Sequence, residues 1–182
     1  VSGFVGYGFC RSHAAAFAKT VYQSAYLKAH HPAAFLAAVM QHRPGMYSQM
    51  TLEEEARRFG VEIRGPDIHR SGMRFDLEPG DDTAWAIRKP LTAVQAVSAE
   101  AAQNIAWARL GGPFDSVEDL YRRVDLDIEA LRALARSGAL DVLAGSSRRA
   151  LWEVGVLHER LGPPGVAEQP TLLLGHLLGV CH

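Results

Sequence analysis

The sequence predicts a mainly α-helical protein with a small β insert, and three observations carry that prediction. Apolar residues recur at three- and four-residue spacing over most of the chain. Ser, Thr and Asp stand before these stretches and Gly or Pro after them, the punctuation of helix ends. From Val61 to Ile87 the pattern changes to alternation, the period of a strand.

The opening, Gly3-Phe4-Val5-Gly6-Tyr7-Gly8-Phe9, marks irregular backbone or a close approach to a neighbour. It is not a dinucleotide fingerprint, because no strand precedes it and the following helix starts late. Ser12 caps a predicted helix running to about His31, with Phe17, Val21 and Ala25 on one face and Tyr22 and Tyr26 beside them. The two tyrosines either pack or stack on bases, and helical spacing favours packing. Pro32 opens a second helix, with Phe35, Leu36, Val39 and Met40 as its buried face and Pro44-Gly45 as its end. Thr51 to Glu54 reads as a capping box for a third helix, Leu52 to Phe59, stopped by Gly60.

The alternating segments follow: Val61-Glu62-Ile63, then Met73 to Leu77, a turn at Pro79-Gly80-Asp81-Asp82, and Thr83 to Ile87 pairing back as a hairpin. Helices resume after Pro90. One covers Val97 to Leu110, and Ser116, Asp127 and Ser147 cap three more. The Asp127 helix ends at Gly138, and the Ser147 helix turns Leu151, Val154 and Leu161 inward. Gly162-Pro163-Pro164-Gly165 closes it, and Val166 to Gly175 reads as an extended linker.

Composition narrows the function. The 182 residues are 48% hydrophobic, which excludes a disordered chain. The formal net charge of -1 gives no globally basic surface for nucleic acid. The loose stretch Arg57, Arg58, Arg64, Arg70 and Arg74, and the pair Arg148-Arg149, read as solvated faces. Cys10 and Cys181 stand at opposite ends, which suits neither a disulfide framework nor a zinc site. The longest apolar stretches are interrupted by Lys19 and Lys28, so no membrane span is expected. With no leader peptide read, the cytosol is the expected compartment. A first residue of Val1 suits a piece of a longer chain.

Metal chemistry finds little support. Asp125 and Asp127 have a spacing that can hold magnesium, but Asp127 serves better as a helix cap. Asp81-Asp82 is a turn pair, and His30, His31 and His42 have no sensible metal spacing. No catalytic or metal-ligating residue is predicted.

The stretch Phe4-Val5-Gly6-Tyr7-Gly8-Phe9-Cys10-Arg11-Ser12-His13-Ala14-Ala15-Ala16-Phe17 resembles the fingers segment of the bacterial DNA polymerase III alpha subunit, a C-family polymerase. Further landmarks follow in that family's order: Tyr22 to Phe35, Gly60-Val61-Glu62-Ile63 before Pro66-Asp67-Ile68, Gly112-Pro113-Phe114 before Val117-Glu118-Asp119-Leu120, and Ser137-Gly138-Ala139-Leu140-Asp141. Gly45-Met46-Tyr47-Ser48 with Ala56 to Val61 is closer to the error-prone, damage-response branch.

The resemblance implies a remnant of the polymerase fingers with the β insert over 1–90, a helix–hairpin–helix-like helical domain over 91–162, and a linker over 163–182. It implies template-directed DNA synthesis by a longer polymerase. DNA primer–template, deoxynucleoside triphosphates and the sliding clamp are then partners, with magnesium needed only by the full-length enzyme. Arg11, Ser12 and His13 would lie near the nascent base pair, where a guanidinium, a hydroxyl and helix amides suit phosphate. Their other reading is a cap and a packed ring, and Cys10 stands where the family often has Asn. In the hairpin, Ala96-Val97-Ser98 replaces the family's Gly-x-Gly, so backbone approach to a phosphate is obstructed by two Cβ atoms and a structural role is favoured. Gln169, Leu172 and Leu173 fall where the family carries its clamp-binding peptide. The same residues also suit an apolar linker packed on its own domain. The rival class is a stand-alone, non-enzymatic module that binds DNA or the clamp.

Overall fold

The computed structural model describes residues 11–43, 45–81 and 84–162. The chain forms two compact units. One contains the chain up to Arg64 together with Arg74–Lys89; the other contains Gly65–Met73 and the chain from Pro90 onward.

In the first unit three helices precede a small sheet: α1 (Arg11–His30), α2 (Pro32–His42), α3 (Gln49–Arg58), β1 (Glu62–Arg64), β2 (Asp76–Glu78) and β3 (Ala86–Arg88). Pro32 takes the first position of α2, where its missing N–H costs nothing. The helix closes at Arg43 in the left-handed region (φ 44°), just before the expected stop. Leu36, Met40, Leu52, Ala56, Val61 and Ile87 form the core, with Phe35 and Val39 packed partly buried against it.

Three sequence expectations are corrected here. Ser12 is the second residue of α1 rather than its cap, and the residue before Arg11 lies outside the described residues. α3 starts earlier than the Thr51 box implied: Ser48 is the cap, its Oγ accepting the Thr51 N–H at 3.2 Å. The apolar face of α1 is not buried, for Phe17, Val21, Tyr22 and Tyr26 are all more than half exposed. Among the described residues, the ring contacts of that face, His13 with Phe17 and His30 with Tyr26, lie within α1 itself. α1 is tied to the unit through α2 and through Lys28, whose Nζ donates to Glu55 of α3 at 2.6 Å. That bond holds the Glu55 carboxyl below its ordinary value.

The expected hairpin is present, with β2 antiparallel to β3 (Leu77 opposite Ile87). β1 adds on the other side of β3, parallel to it, with Ile63 opposite Ile87. Alternation puts Ile63, Ile87 and Leu77 on the core face. The other face carries an ion network: Arg64 and Arg88 each donate to Glu78 at 2.6 Å, and Arg64 also meets Glu62 and Asp81. Much of the presumed basic stretch is therefore paired, since Arg57 and Arg58 also meet Glu53 and Glu55.

In the second unit a 3-10 turn, Leu91–Ala93, leads to α4 (Ala99–Leu110), α5 (Val117–Arg123), α6 (Ile128–Arg136), α7 (Asp141–Ala144) and α8 (Ser147–Leu161). α6 and α5 both pack on α8 around Leu120, Tyr121, Leu131, Leu134 and Val154. Ser116 caps α5 through the Asp119 N–H, as expected. Asp127 occupies the cap position of α6 without a side-chain bond. For α8 the cap is Ser146, one residue earlier than read, and the Ser147 hydroxyl donates to Asp141 at 2.8 Å instead. The buried stripe of α8 is Ala150, Val154 and Leu157. Leu151 lies about 100° round the helix from Ala150 and, like Leu161 in the terminal turn, stays partly exposed.

Gly65–Met73 is sewn to this unit by backbone bonds from Ile68 to the Ala139 carbonyl and from Leu91 to the Gly72 carbonyl, both 2.9 Å. Arg109 of α4 donates to the carbonyls of Ile68 (3.2 Å) and Ser71 (2.8 Å). The Asp67 carboxylate accepts the amides of His69 and Arg70, which closes the expected Pro66-Asp67 turn.

Candidate nucleic-acid interface

The hairpin before α4 is built from alternating inward and outward residues. Leu91, Val94 and Val97 are buried, whereas Ala93, Gln95, Ala96 and Ser98 face solvent. Two short bonds hold the loop, from the Val94 amide to the Leu91 carbonyl (3.0 Å) and from the Val97 amide to the Val94 carbonyl (3.1 Å). Val94 and Val97 thus anchor a tight turn whose tip is Gln95-Ala96.

Ala96 has φ 67°, in the left-handed region. An L residue there costs about 1–2 kcal/mol relative to glycine's freedom. At Ala96 the backbone thus takes a conformation that glycine adopts freely, whereas Ser98, at φ -71° and ψ 163°, is in ordinary extended backbone. Ala96→Gly should raise stability by about 0.5–1 kcal/mol, the strain relief less glycine's greater unfolded-state entropy. A rise in the thermal midpoint checks this; a fall would show that the turn is not strained at Ala96.

Ser98 is the N-cap of α4, its Oγ accepting the Ala101 N–H at 3.0 Å. Sequence reading began this helix at Val97 and treated Ser98 only as a lost glycine. The signal for a cap was present, since Ser before Ala99-Glu100 opens an apolar-periodic run. The cap satisfies one first-turn donor. Among the described residues, no protein acceptor receives the exposed amides of Ser98, Ala99 and Glu100. Three neighbouring N–H groups at the positive end of a helix form an anion-facing edge. Buried Ala102 and Ile105 fix α4 against the core, so that edge sits on a rigid support.

A scan for known families matches residues 60–151 to the helix-hairpin-helix motif. The chain belongs to the helix-hairpin-helix family. The match spans the sheet and the hairpin and reaches into α8. Similar curated sequences include error-prone DNA polymerases. An error-prone DNA polymerase of Cutibacterium acnes is 38% identical over 95% of this chain and 19% of its own length. One from Anaeromyxobacter sp. (strain K) is 44% identical over 89% of this chain and 16% of its own. One from Burkholderia pseudomallei is 44% identical over 84% and 15%. The chain thus spans less than a fifth of the length of these relatives. The resemblance read from the residues and these comparisons agree, including on the error-prone branch.

Charge around this helix-hairpin-helix hairpin is restrained. Between 65–73 and 90–162 the second unit has nine arginines, no lysine and eleven Asp or Glu. Several arginines are occupied: Arg122 and Arg160 meet Glu118, Arg132 meets Glu129 and Arg149 meets Glu153. Arg123 donates to the carbonyls of Gly112 and Pro113, meets Asp119 and lies over the Phe114 ring. Glu100 adds a carboxylate in the first turn of α4 itself.

The other predicted site residues are placed as follows. Arg11 opens α1, and Ser12 and His13 follow, both exposed, with the His13 ring 4.5 Å from that of Phe17 in an edge-on contact. They belong to the first unit and the hairpin to the second. Gln169, Leu172 and Leu173 lie outside the described residues. Among the described residues, no group of three or more His, Cys, Asp or Glu is placed to hold a metal ion. No described helix is long and apolar enough to cross a membrane.

Proposed function

We propose that this chain is the part of an error-prone, template-directed DNA polymerase that positions DNA and nucleotide, and that it performs no chemistry alone. One observation carries this reading. Relatives named error-prone DNA polymerase align with 84% to 95% of this chain, yet it spans only 15% to 19% of their length. The hairpin contributes a phosphate contact through the amides of Ser98, Ala99 and Glu100. Its affinity is weak and independent of base sequence, because Glu100 and the balanced charge of the unit offset the attraction.

Arg11, Ser12 and His13 hold the incoming deoxynucleoside triphosphate or the primer–template beside it. Phosphoryl transfer of this class uses magnesium. The proposal assigns that ion to carboxylates elsewhere in the polymerase. Gln169, Leu172 and Leu173 tether the enzyme to a sliding clamp, with the glutamine at the pocket rim and the leucines in its sub-pockets. The compartment is the cytosol.

Primer extension on a primed template with magnesium tests the proposal. The intact polymerase extends the primer, and the 182-residue chain alone gives no product above a mock preparation. In the intact enzyme, Arg11→Ala lowers kcat/KM for nucleotide by the worth of a charge-assisted contact, about 1–3 kcal/mol. Extension by the chain alone, or unchanged kinetics in a folded Arg11→Ala enzyme, contradicts this assignment.

A further inference from the structure

The first unit contains a cleft of about 370 Å³ that the polymerase reading does not use, lined by His30, His31, Phe59, Val61, Leu77 and Trp85 among others. Among the described residues no carboxylate lines it. Its inner wall is fixed by the core, since Val61 is buried and Leu77 packs against the same cluster. Phe59 and Trp85, by contrast, leave roughly half of their surface in water, 43% and 52%. Exposed ring surface of that extent gains by being covered with another flat ring. The Phe59 ring is held in place, for Lys28 Nζ lies 4.8 Å from its centroid and is itself bonded to Glu55.

One edge of the cleft is suited to an anion. His30 and His31 supply two imidazoles, and the His30 ring is braced by Tyr26 at 4.3 Å. The same edge holds the first turn of α2, which no side chain caps, although Pro32 itself supplies no N–H. A cavity with aromatic walls, an apolar floor and imidazoles on one side complements a planar base carrying a phosphate.

We infer that this cleft binds one unpaired nucleotide of single-stranded DNA, its base against Phe59 and Trp85 and its phosphate beside His30 and His31. A base inside a duplex is stacked on both faces and cannot enter. A free nucleotide offers the same base and phosphate but lacks the flanking phosphodiesters that extend along the helix edge.

The test uses the 182-residue chain with Trp107→Phe and Trp152→Phe, which leaves Trp85 as the one emitter of three tryptophans. Both replaced rings are strongly exposed, at 61% and 66%, so the fold is not at stake. The protein is titrated with a dT 20-mer, with a blunt duplex and with dTMP. The 20-mer quenches Trp85 saturably, dTMP does so only at much higher concentration, and the duplex does not quench. Phe59→Ala weakens the 20-mer about tenfold, the worth of one stacked base. Ala34→Glu provides a variant whose folding is secure, since a carboxylate in the first turn of α2 favours the helix. It places negative charge in the lining and weakens binding several-fold. Equal quenching by duplex, no quenching by the 20-mer, or quenching that ignores both variants overturns the inference. Saturation by dTMP as tight as by the 20-mer overturns the single-strand assignment.

Discussion

Replacing Ile105 with alanine is expected to lower the unfolding free energy of the second unit by about 2–5 kcal/mol. Ile105 is fully buried and belongs to the same cluster as Phe114, Val117 and Leu120. It stands about two helical turns after the cap Ser98, on the face by which α4 meets the core. Removing three carbons there leaves a cavity that helices on either side cannot close without moving. Urea denaturation measures the loss, and Ile105→Val, expected to cost only about 0.5–1.5 kcal/mol, provides the scale. A loss below 1 kcal/mol for Ile105→Ala would mean that α4 is not seated as described.

The second large effect is expected at Arg109. Its guanidinium spans two carbonyls, of Ile68 and Ser71, and thereby holds the loop Gly65–Met73 on α4. Burial pushes this guanidinium below its ordinary value, and the nearby Asp67 carboxylate pushes it back up. Arg109→Ala leaves both carbonyls without that donor and is expected to cost about 2–3 kcal/mol. Arg109→Lys should recover only part, because one ammonium on a flexible stem does not reproduce a planar fork with two fixed N–H directions. Full recovery by lysine would show that charge, not the two-carbonyl geometry, secures the loop.

Arg109 also illustrates what sequence reading reaches. The turn at Pro66-Asp67 was legible from local chemistry, because Asp side chains bond their own following amides. That the turn packs with the helices beyond Pro90, not with the strands beside it, depends on contacts forty residues apart that no local pattern encodes. The same limit separates β2 and β3, paired through a readable turn, from β1, whose parallel place beside β3 was not readable. Helix existence followed from period, but ends shifted by one to three residues where two hydroxyl residues compete, as at Ser146 and Ser147 or Ser48 and Thr51. α1 misled in another way. Its apolar spacing resembles a buried face, yet period reports only that residues share a side, not that anything covers it.

At the candidate site the loss of both glycines was plain in the sequence. What it concealed was that Ala96 accepts a left-handed backbone and that Ser98 serves as a helix cap. Both outcomes turn on a backbone angle, which the residue type biases without deciding.

The central claim is that backbone amides at the start of α4 contact a DNA phosphate, and Ala99→Pro tests it most directly. Ala99 is the first residue of α4, the position where proline is best tolerated. Ser98 before it, at φ -71° and ψ 163°, already has the extended conformation that a following proline requires. The substitution therefore deletes one exposed N–H while leaving charge and fold in place. Fluorescence anisotropy with a short duplex at low salt, where phosphate contacts are strongest, should show affinity reduced about tenfold or more, as expected for a bond to a charged acceptor. Ala99→Gly, which keeps the amide, should bind nearly as the parent does. Unchanged duplex affinity in a folded Ala99→Pro protein would contradict the account.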